Sequence, residues 1–366
     1  MREIHQLVHT LSYGDAISSE VLSLKRSFER LGCKSTIYAL NIHPKLKQEA
    51  TFVESFPADF SGEVVLHYSL GSPLNSLYSS LNQASRYLIY HNITPPFWFE
   101  GVNPRIVRDI KNGLDELPEL LAITDGIISD SDFNAQELLK LGFESAVLQL
   151  PVDPVRWHEP ANEGIKKLLT SDDTLHFLHV GRLAPNKCLE DIIRTFYFLH
   201  HKIEPKSKLW LVGVDTDTEL YSFALRYLAQ ELGLDDAIEF VGCMSDCEVR
   251  ALYEGASVYI CMSEHEGFCL PPLEAMHFSL PVVAYASSAI PQTVGEGGIL
   301  IDHKDPALVA ELLYKVATDS DLRAALISAG KKRVDQLSLE RFEKQVIEMF
   351  NRHSSDLGTI RSEARV

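Results

Sequence analysis

The stretch SEHEGFCLPPLEAM, residues 263–276, carries two glutamates, Glu266 and Glu274, eight residues apart. Glu266 stands at the start of a loop, and Glu274 lies in the first turn or two of the helix that follows it. Such a junction attracts anions, because unpaired backbone N–H groups converge there and the helix dipole favours negative charge. Carboxylates repel phosphate, so we expect these two to accept hydrogen bonds from sugar hydroxyls of a phosphate-bearing ligand. An acidic first turn placed only for the helix dipole would explain Glu274 but not the loop.

A second segment, TLHFLHVGRLAPNK at residues 174–187, supplies positive charge. It reads as an apolar strand that stops at Gly181, a short turn with Arg182 and Lys187, and then a helix from Cys188. This order suits a diphosphate, because arginine offers a planar fork of donors and lysine a point charge. Two solvated cations on an exposed turn are the alternative, which the carboxylate-bearing loop in the same half disfavours.

The segments GRLAPNK (181–187) and FVGCMSDCEVRALYEGASVYICMSEHEGFCLPPLEAMHFSLPVVA (240–284) resemble the C-terminal half of a family 4 glycosyltransferase of the GT-B fold. The resemblance is strongest over residues 174–302. Members of that family are retaining enzymes that use nucleotide-sugar donors. The resemblance implies an α/β protein with two Rossmann-like domains facing a central cleft, one for the donor and one for the acceptor.

The same resemblance implies roles for particular residues. Arg182 and Lys187 would hold the donor diphosphate, Glu266 would contact the transferred sugar, and Glu274 would accept the ribose hydroxyls. The backbone N–H groups beside Glu266 would complete the donor site, namely those of Gly267, Phe268, Cys269 and Leu270. The chain departs from the family where Cys269 replaces the usual glycine and where Cys188 replaces a small residue, often glycine. Cys269 keeps its N–H but narrows the approach to the donor.

The first half of the chain carries weaker candidates in LSYGDAISSE, residues 11–20. The resemblance implies that this turn closes over the donor, with Gly14 permitting close approach and Asp15 facing the acceptor. Asp15 can equally be an acid that favours the helix dipole. A single glycine at the turn argues against the GxGxxG pattern of dinucleotide-binding domains.

His91 ends the apolar strand RYLIYH, residues 86–91, where it should lie at the carboxyl edge of a sheet. Its position matches the family's histidine that contacts the donor sugar, whereas a purely structural histidine is the alternative. Trp98 follows two prolines in an aromatic loop. Inward packing is the commoner fate of such a side chain, and an exposed one would suit a sugar ring or the lipid part of an acceptor.

Two Asp-x-Asp segments, 130–132 and 215–217, resemble the metal-binding motif of the GT-A fold. Arg182 and Lys187 already stand where a metal would neutralise charge, so we expect no metal site and no obligatory metal. No cofactor is expected beyond the co-substrate, a GDP- or UDP-sugar. No carboxylate is evidently placed as the covalent nucleophile of retaining glycosidases, which favours front-face attack by the acceptor hydroxyl.

Strands and helices alternate along the 366 residues, which are enough for two domains with separate cores. We predict an acceptor-binding domain at 1–155 and a donor-binding domain at 165–337. A C-terminal helix at 338–366 can cross back to the first domain. The proline-rich stretch LPVDPVRWHEPANEG, 150–164, is the best linker candidate.

The net charge of −17 argues against a nucleic-acid partner, which requires a basic face. Three features favour the cytoplasm. The six cysteines are scattered, no apolar run approaches roughly 20 residues, and the N-terminal MREIHQLVHT does not resemble a signal peptide. A lipid-linked acceptor would add contact with the inner face of the membrane.

These observations predict a retaining hexosyltransferase acting on a hydroxyl of a saccharide or lipid-linked acceptor. The resemblance suggests bacterial surface polysaccharide, lipopolysaccharide or glycolipid assembly, with mannose one candidate sugar. Three alternatives stay open: a nucleotide-sugar epimerase of the same fold, a hydrolase or phosphorylase acting on glycosides, and a non-catalytic sugar-nucleotide-binding protein.

Overall fold

The computed structural model describes residues 1–363, with side chains through Asn351, and divides into two compact α/β units. The first unit comprises Met1–Ile93, Asp109–Asp153 and the chain from Leu337 onward. The second comprises Thr94–Arg108 and Pro154–Gln336. Each unit has one parallel sheet with helices packed on it, which confirms the predicted α/β class with two Rossmann-like domains.

The first unit is built on a seven-stranded sheet in the order β3-β2-β1-β4-β5-β6-β7. All of its strand pairs are parallel. The strands are β1 Ile4–Leu11, β2 Ile37–Ile42, β3 Ala50–Phe52, β4 Glu63–Tyr68, β5 Ser85–Tyr90, β6 Gly126–Ser129 and β7 Ala146–Val147. The helices between them are α1 Ala16–Arg30, α2 Leu74–Ser80, α3 Pro104–Ala122 and α4 Asp132–Lys140.

Helix α1 shows how local sequence sets an element's ends. Asp15 caps the first turn by accepting a 3.0 Å hydrogen bond from the backbone N–H of Ser18. After the helix, Gly32 adopts a φ of +75°, the left-handed conformation that commonly follows a helix end. The two residues that flank the helix, Asp15 and Gly32, therefore set its ends.

The second unit is built on a six-stranded parallel sheet in the order β10-β9-β8-β11-β12-β13. Its strands are β8 Leu175–Val180, β9 Ser207–Val212, β10 Ile238–Gly242, β11 Val258–Cys261, β12 Val282–Tyr285 and β13 Ile299–Ile301. Its helices are α5 Glu163–Leu169, α6 Leu189–Phe198, α7 Glu219–Glu231, α8 Asp246–Gly255, α9 Pro271–His277, α10 Ile290–Val294, α11 Pro306–Thr318 and α12 Ser320–Gln336.

The last helix, α13 Leu339–Glu363, packs against the core of the first unit. Phe350 lies edge-on to Phe28, with ring centroids 4.9 Å apart, and 4.7 Å from the ring of Tyr87. Phe342 and Val346 are buried in the same cluster. Because these positions are spaced at intervals of four, they lie on one face of the helix, which is apolar and fills that core.

The segment 94–108 groups with the second unit, whereas the predicted first domain ran unbroken through residue 155. Trp98 packs against the core of the second unit, and the side chain of Asn103 donates a 2.9 Å hydrogen bond to the carbonyl of Asp217. Arg105 also pairs with the Asp217 carboxylate at 2.6 Å. Sequence reasoning placed Trp98 in a loop but could not show which core it packs against.

In the described part of the chain, none of the helices combines the length and apolar character needed to cross a membrane.

Candidate active site

The turn after β8 depends on a close approach of two backbones. Gly181 donates its N–H to the carbonyl of Val212 at 2.9 Å. A Cβ added to Gly213, whose φ is +154°, would lie only 1.9 Å from the Gly181 carbonyl oxygen, so this position requires glycine. Arg182 follows directly and donates a 2.7 Å hydrogen bond to the carbonyl of Thr216. The predicted cation thus lies at the carboxyl edge of the sheet, with its guanidinium tethered to the loop after β9.

Lys187 and Glu266 form an ion pair, with Lys187 Nζ 2.5 Å from Glu266 Oε1. Lys187 ends a 3-10 turn, Pro185–Lys187, and the left-handed residue Cys188, with φ +50°, then starts α6. Two more bonds join the same loops: Asn186 donates its side-chain amide to the His265 carbonyl, and Glu264 donates its N–H to the Asn186 carbonyl. The structure therefore brings the predicted cation and carboxylate together.

The ion pair keeps both of its members charged. Burial alone would raise the pKa of Glu266, but the charge and hydrogen bond of Lys187 outweigh burial and lower it. Burial would lower the pKa of Lys187, and Glu266 raises it instead. Glu266 is 8% exposed, so its charge at this depth depends on the half-buried Lys187. Both charges are therefore in place before a ligand binds, and each side chain can give up the ion pair for a contact with a ligand.

The loop after Glu266 is held in a defined conformation. The N–H of Glu266 donates to Ser288 Oγ at 2.8 Å, and Thr293 Oγ1 donates to the carbonyl of Phe268. Cys269 has a φ of +74°, and Leu270 is the residue that directly precedes α9. A left-handed φ explains why glycine is usual at the position of Cys269.

Glu274 lies in the first turn of α9, as predicted, but both of its oxygens already have protein partners. Oε1 accepts a 2.5 Å bond from Arg156, and Oε2 accepts a 2.9 Å bond from the Tyr253 hydroxyl. Arg156 also pairs with Asp246 at 2.9 Å and stacks on the ring of Trp157. A ribose would have to share this carboxylate with Arg156. Sequence reasoning missed Arg156 because it lies in the linker, which has no periodic pattern.

His179, in β8, is a second residue that sequence reasoning missed. Its Nδ1 lies 3.0 Å from the Ile260 carbonyl, which assigns the proton to Nδ1 and leaves Nε2 as an acceptor. Nε2 is buried and has no partner among the described residues. Burial lowers the pKa of His179 to about 4, so the ring is neutral at pH 7. The only signal in the sequence was a histidine next to the end of an apolar strand.

His91 follows β5 at its carboxyl end, where it was predicted, within a buried hydrogen-bonded chain. Its Nε2 lies 2.8 Å from His67 Nδ1 and its Nδ1 lies 2.8 Å from Asp130, while His67 Nε2 reaches Gln6 Oε1 at 2.9 Å. Burial, helped by the charge of Asp130, raises the pKa of Glu20 beside this chain. Both ring nitrogens of His91 are thus engaged, and contact with a sugar would require one of them to exchange partners.

The remaining candidates lie as follows. Gly14 has a φ of +79° in the turn after β1, and Asp15 caps α1, which matches the alternative interpretation of that residue. Trp98 is half-buried against the core of the second unit, whereas its neighbour Phe97 is 59% exposed. In the two Asp-x-Asp segments, Asp130 is engaged by His91 and Asp217 by Arg105.

Residues 161–333 match the model of the family described as glycosyl transferases group 1. The matched segment is slightly less than half of the chain. It includes the loops that carry Arg182, Lys187, Glu266 and Glu274.

Curated relatives that this chain resembles are also named as glycosyltransferases. A D-inositol 3-phosphate glycosyltransferase of Corynebacterium urealyticum is 33% identical over 128 residues, which is 34% of this chain and 30% of the relative. An O-antigen chain mannosyltransferase B of Escherichia coli is 25% identical over 175 residues, 47% of this chain and 45% of the relative. The chain thus spans less than half the length of each of these two relatives.

Solved structures match nearly the whole chain. Sucrose-phosphate synthase from Thermosynechococcus elongatus superposes with a TM-score of 0.77 at 17% identity, over 97% of this chain and 100% of that one. Anabaena Alr3699/HepE in complex with UDP-glucose gives a TM-score of 0.70 at 15% identity, over 96% and 100%. Likeness at such identities is likeness of fold, and it confirms the GT-B type of the two Rossmann-like domains.

Proposed function

We propose that this chain is a retaining glycosyltransferase of family 4, which moves a hexose from a nucleotide-sugar to an acceptor hydroxyl. The observation that supports the proposal most strongly is the ion pair between half-buried Lys187 and buried Glu266. It joins two loops of the segment that matches a glycosyltransferase family. One member of the pair suits a phosphate and the other suits sugar hydroxyls.

The donor side uses charge that is already in place. As the bond between sugar and phosphate breaks, negative charge grows on the diphosphate, where Arg182 and Lys187 stabilise it. Removing one such donor typically lowers the rate by about a hundred- to a thousandfold. Glu266 accepts hydrogen bonds from the sugar, the N–H groups from Gly267 to Leu270 border it, and Glu274 shares its carboxylate with the ribose.

Glu266 serves as a hydrogen-bond acceptor rather than as a nucleophile or proton carrier. Lys187 lowers the pKa of this carboxyl, which makes it a weaker base. The acceptor hydroxyl therefore attacks the face from which the nucleotide leaves, and the departing phosphate takes its proton. In this proposal, His91 contacts the donor sugar and Gly14 allows the backbone to approach the donor closely. Asp15 and Trp98 bind the acceptor.

The donor is a GDP- or UDP-hexose, and no metal or other cofactor is required because the two cations replace the metal's charge. One relative is named as a mannosyltransferase, and one fold neighbour was solved with UDP-glucose, which supports a nucleotide-hexose as donor. The acceptor is a saccharide or a lipid-linked saccharide of a bacterial surface polysaccharide or glycolipid. Reaction at the inner face of the membrane follows if the acceptor is lipid-linked.

The test is transfer from GDP-mannose and UDP-glucose to a panel of saccharide acceptors in the presence of EDTA. We expect one donor to give a product with the donor's anomeric configuration, measured by NMR. Arg182→Ala and Glu266→Ala should lower the rate by about a hundredfold or more. Lys202→Ala, which removes an exposed cation, is the matched control and should leave the rate unchanged.

Three results would contradict the proposal. Full transfer activity in a folded Arg182→Ala or Glu266→Ala variant would show that the substituted residue is not part of the site. Conversion of the donor sugar with no acceptor present would identify an epimerase instead. Donor binding without turnover on any acceptor would identify a sugar-nucleotide-binding protein.

A further inference from the structure

Two thiols and a carboxylate lie close together where strand β11 leads into the loop that carries Glu266. Cys261 ends β11, Cys269 lies in the loop, and Glu266 stands between them in sequence. The two sulfur atoms are 3.9 Å apart. One ligand atom from each of the three side chains lies within 4.8 Å of the others, and all three residues are buried.

This spacing is that of a zinc site. Two sulfurs bound to one Zn²⁺ at about 2.3 Å and at the tetrahedral angle lie about 3.8 Å apart. A carboxylate oxygen binds Zn²⁺ at a similar radius, about 2.0–2.2 Å. Thiolates are soft ligands that select zinc over magnesium or calcium. Three protein ligands leave a fourth position for water, as in zinc sites that keep an open position.

The charges also balance. With both cysteines as thiolates and Glu266 ionised, the cluster carries three negative charges, which a divalent cation and Lys187 together neutralise. A carboxylate has two oxygens, so Glu266 can hold Lys187 through Oε1 and the metal through its other oxygen. A neutral cluster avoids the large cost of burying net charge.

We propose that Cys261, Cys269 and Glu266 bind a thiophilic divalent cation, with Zn²⁺ as the probe. The third ligand is the same carboxylate that is proposed to contact the donor sugar. Bound Zn²⁺ therefore blocks the donor, a consequence that rests on the proposed function, whereas binding itself does not. The site belongs to this chain in particular, because a glycine at position 269 would offer no thiol.

The first test is a titration of the full, reduced chain with Co²⁺, followed by Zn²⁺. We expect thiolate-to-cobalt charge-transfer absorption at one equivalent, its displacement by one equivalent of Zn²⁺, and release of protons from the thiols. Cys261→Ala should weaken binding by at least about a hundredfold, since even outer partners of metal ligands contribute ten- to a hundredfold. Cys243→Ala removes an exposed thiol and should change nothing.

Cys269→Gly is the second variant, and it keeps the test valid if Cys261→Ala does not fold. It should also lose the charge-transfer band, and glycine tolerates the left-handed backbone there. No band in the wild type, an unchanged band in a folded Cys261→Ala or Cys269→Gly, or loss of the band in Cys243→Ala would overturn the site.

The second test separates this site from the proposed function. Zn²⁺ should abolish transfer by the wild type and leave transfer by Cys261→Ala intact, since Cys261 takes no part in binding the donor. The cobalt spectrum needs no donor, so absence of transfer with a normal spectrum would refute the transferase and leave the metal site standing. Unchanged transfer by a wild type saturated with Zn²⁺ would show that the bound metal does not compete with the donor.

Discussion

At the scale of single residues, Lys187 and Glu266 depend on each other. Each carries a charge that its buried position would suppress if it were alone. A ligand that takes Lys187 for its phosphate leaves Glu266 free for a hydroxyl. The same ligand must supply the contact that the pair gives up, so a sugar and a diphosphate on one molecule suit the pair better than either alone.

Lys187→Ala should damage both activity and stability. It leaves a buried carboxylate without its cation, so the pKa of Glu266 rises and the free energy of unfolding falls by up to about 3 kcal/mol. Transfer should fall by about a hundredfold or more. Urea unfolding and kcat/KM measure the two effects, and Lys202→Ala serves as the exposed control.

The stability effect has a defined pH dependence. The folded-state pKa of Glu266 lies below its unfolded value, so its contribution is present above about pH 4.5 and is lost as the pH falls through the folded value. The difference between wild type and Lys187→Ala should therefore shrink in acid. A constant difference across this range would contradict the ion pair.

Candidate site residues that lie in recognisable sequence motifs could be predicted from the sequence, and the residues that position them could not. Arg182, Lys187, Glu266 and Glu274 lie in segments whose order is informative. Arg156 reaches Glu274 from 118 positions away, and no local pattern signals such a contact.

At the scale of elements, strand β8 carries His179, whose buried ring is neutral in the folded protein. The folded pKa of His179, about 4, lies below the ordinary value of 6.5, so its contribution is complete above pH 6.5 and is lost as the pH falls towards 4. Between pH 7 and pH 5 this loss is about 2 kcal/mol.

His179→Gln should flatten that dependence. Glutamine can replace the bond to the Ile260 carbonyl but does not gain a proton in this range. Urea unfolding at pH 7 and pH 5 should show the wild type losing about 2 kcal/mol more than the variant. Parallel losses in both proteins would show that His179 does not titrate as its burial requires.

Helix α13 should be essential to the first unit, because it supplies a wall of that core. Phe350→Ala removes a fully buried ring and should lower the free energy of unfolding by about 3–5 kcal/mol. Glu348→Ala, on the exposed side of the same helix, should change it by less than about 0.5 kcal/mol. Equal effects of the two substitutions would show that the helix does not pack there.

Elements with a clear period or cap could be predicted, and short ones could not. Helix α1 has both an apolar face and the terminal residues Asp15 and Gly32. Strand β3 has only three residues, and strand β7 has only two. Two or three residues are too few to show an alternation of period two.

At the scale of the whole molecule, alternating strands and helices were enough to predict two α/β domains. The residues proposed to bind the donor could be named because they are concentrated in a few loops of the segment that matches a family model. The acceptor could not be read. Asp15 caps a helix of the first unit and Trp98 packs on the core of the second, and neither role indicates an acceptor.

The central claim is a nucleotide-sugar site built from protein cations, and thermal unfolding with UDP, GDP, ADP and dTDP, each with and without EDTA, tests it most directly. A nucleotide at a hundred times its Kd stabilises the folded state by roughly 2.7 kcal/mol, a shift of several degrees. We predict that UDP or GDP raises the midpoint equally with and without EDTA, and that Lys187→Ala abolishes the shift. No shift with any nucleotide, or a shift that EDTA removes, would contradict the account.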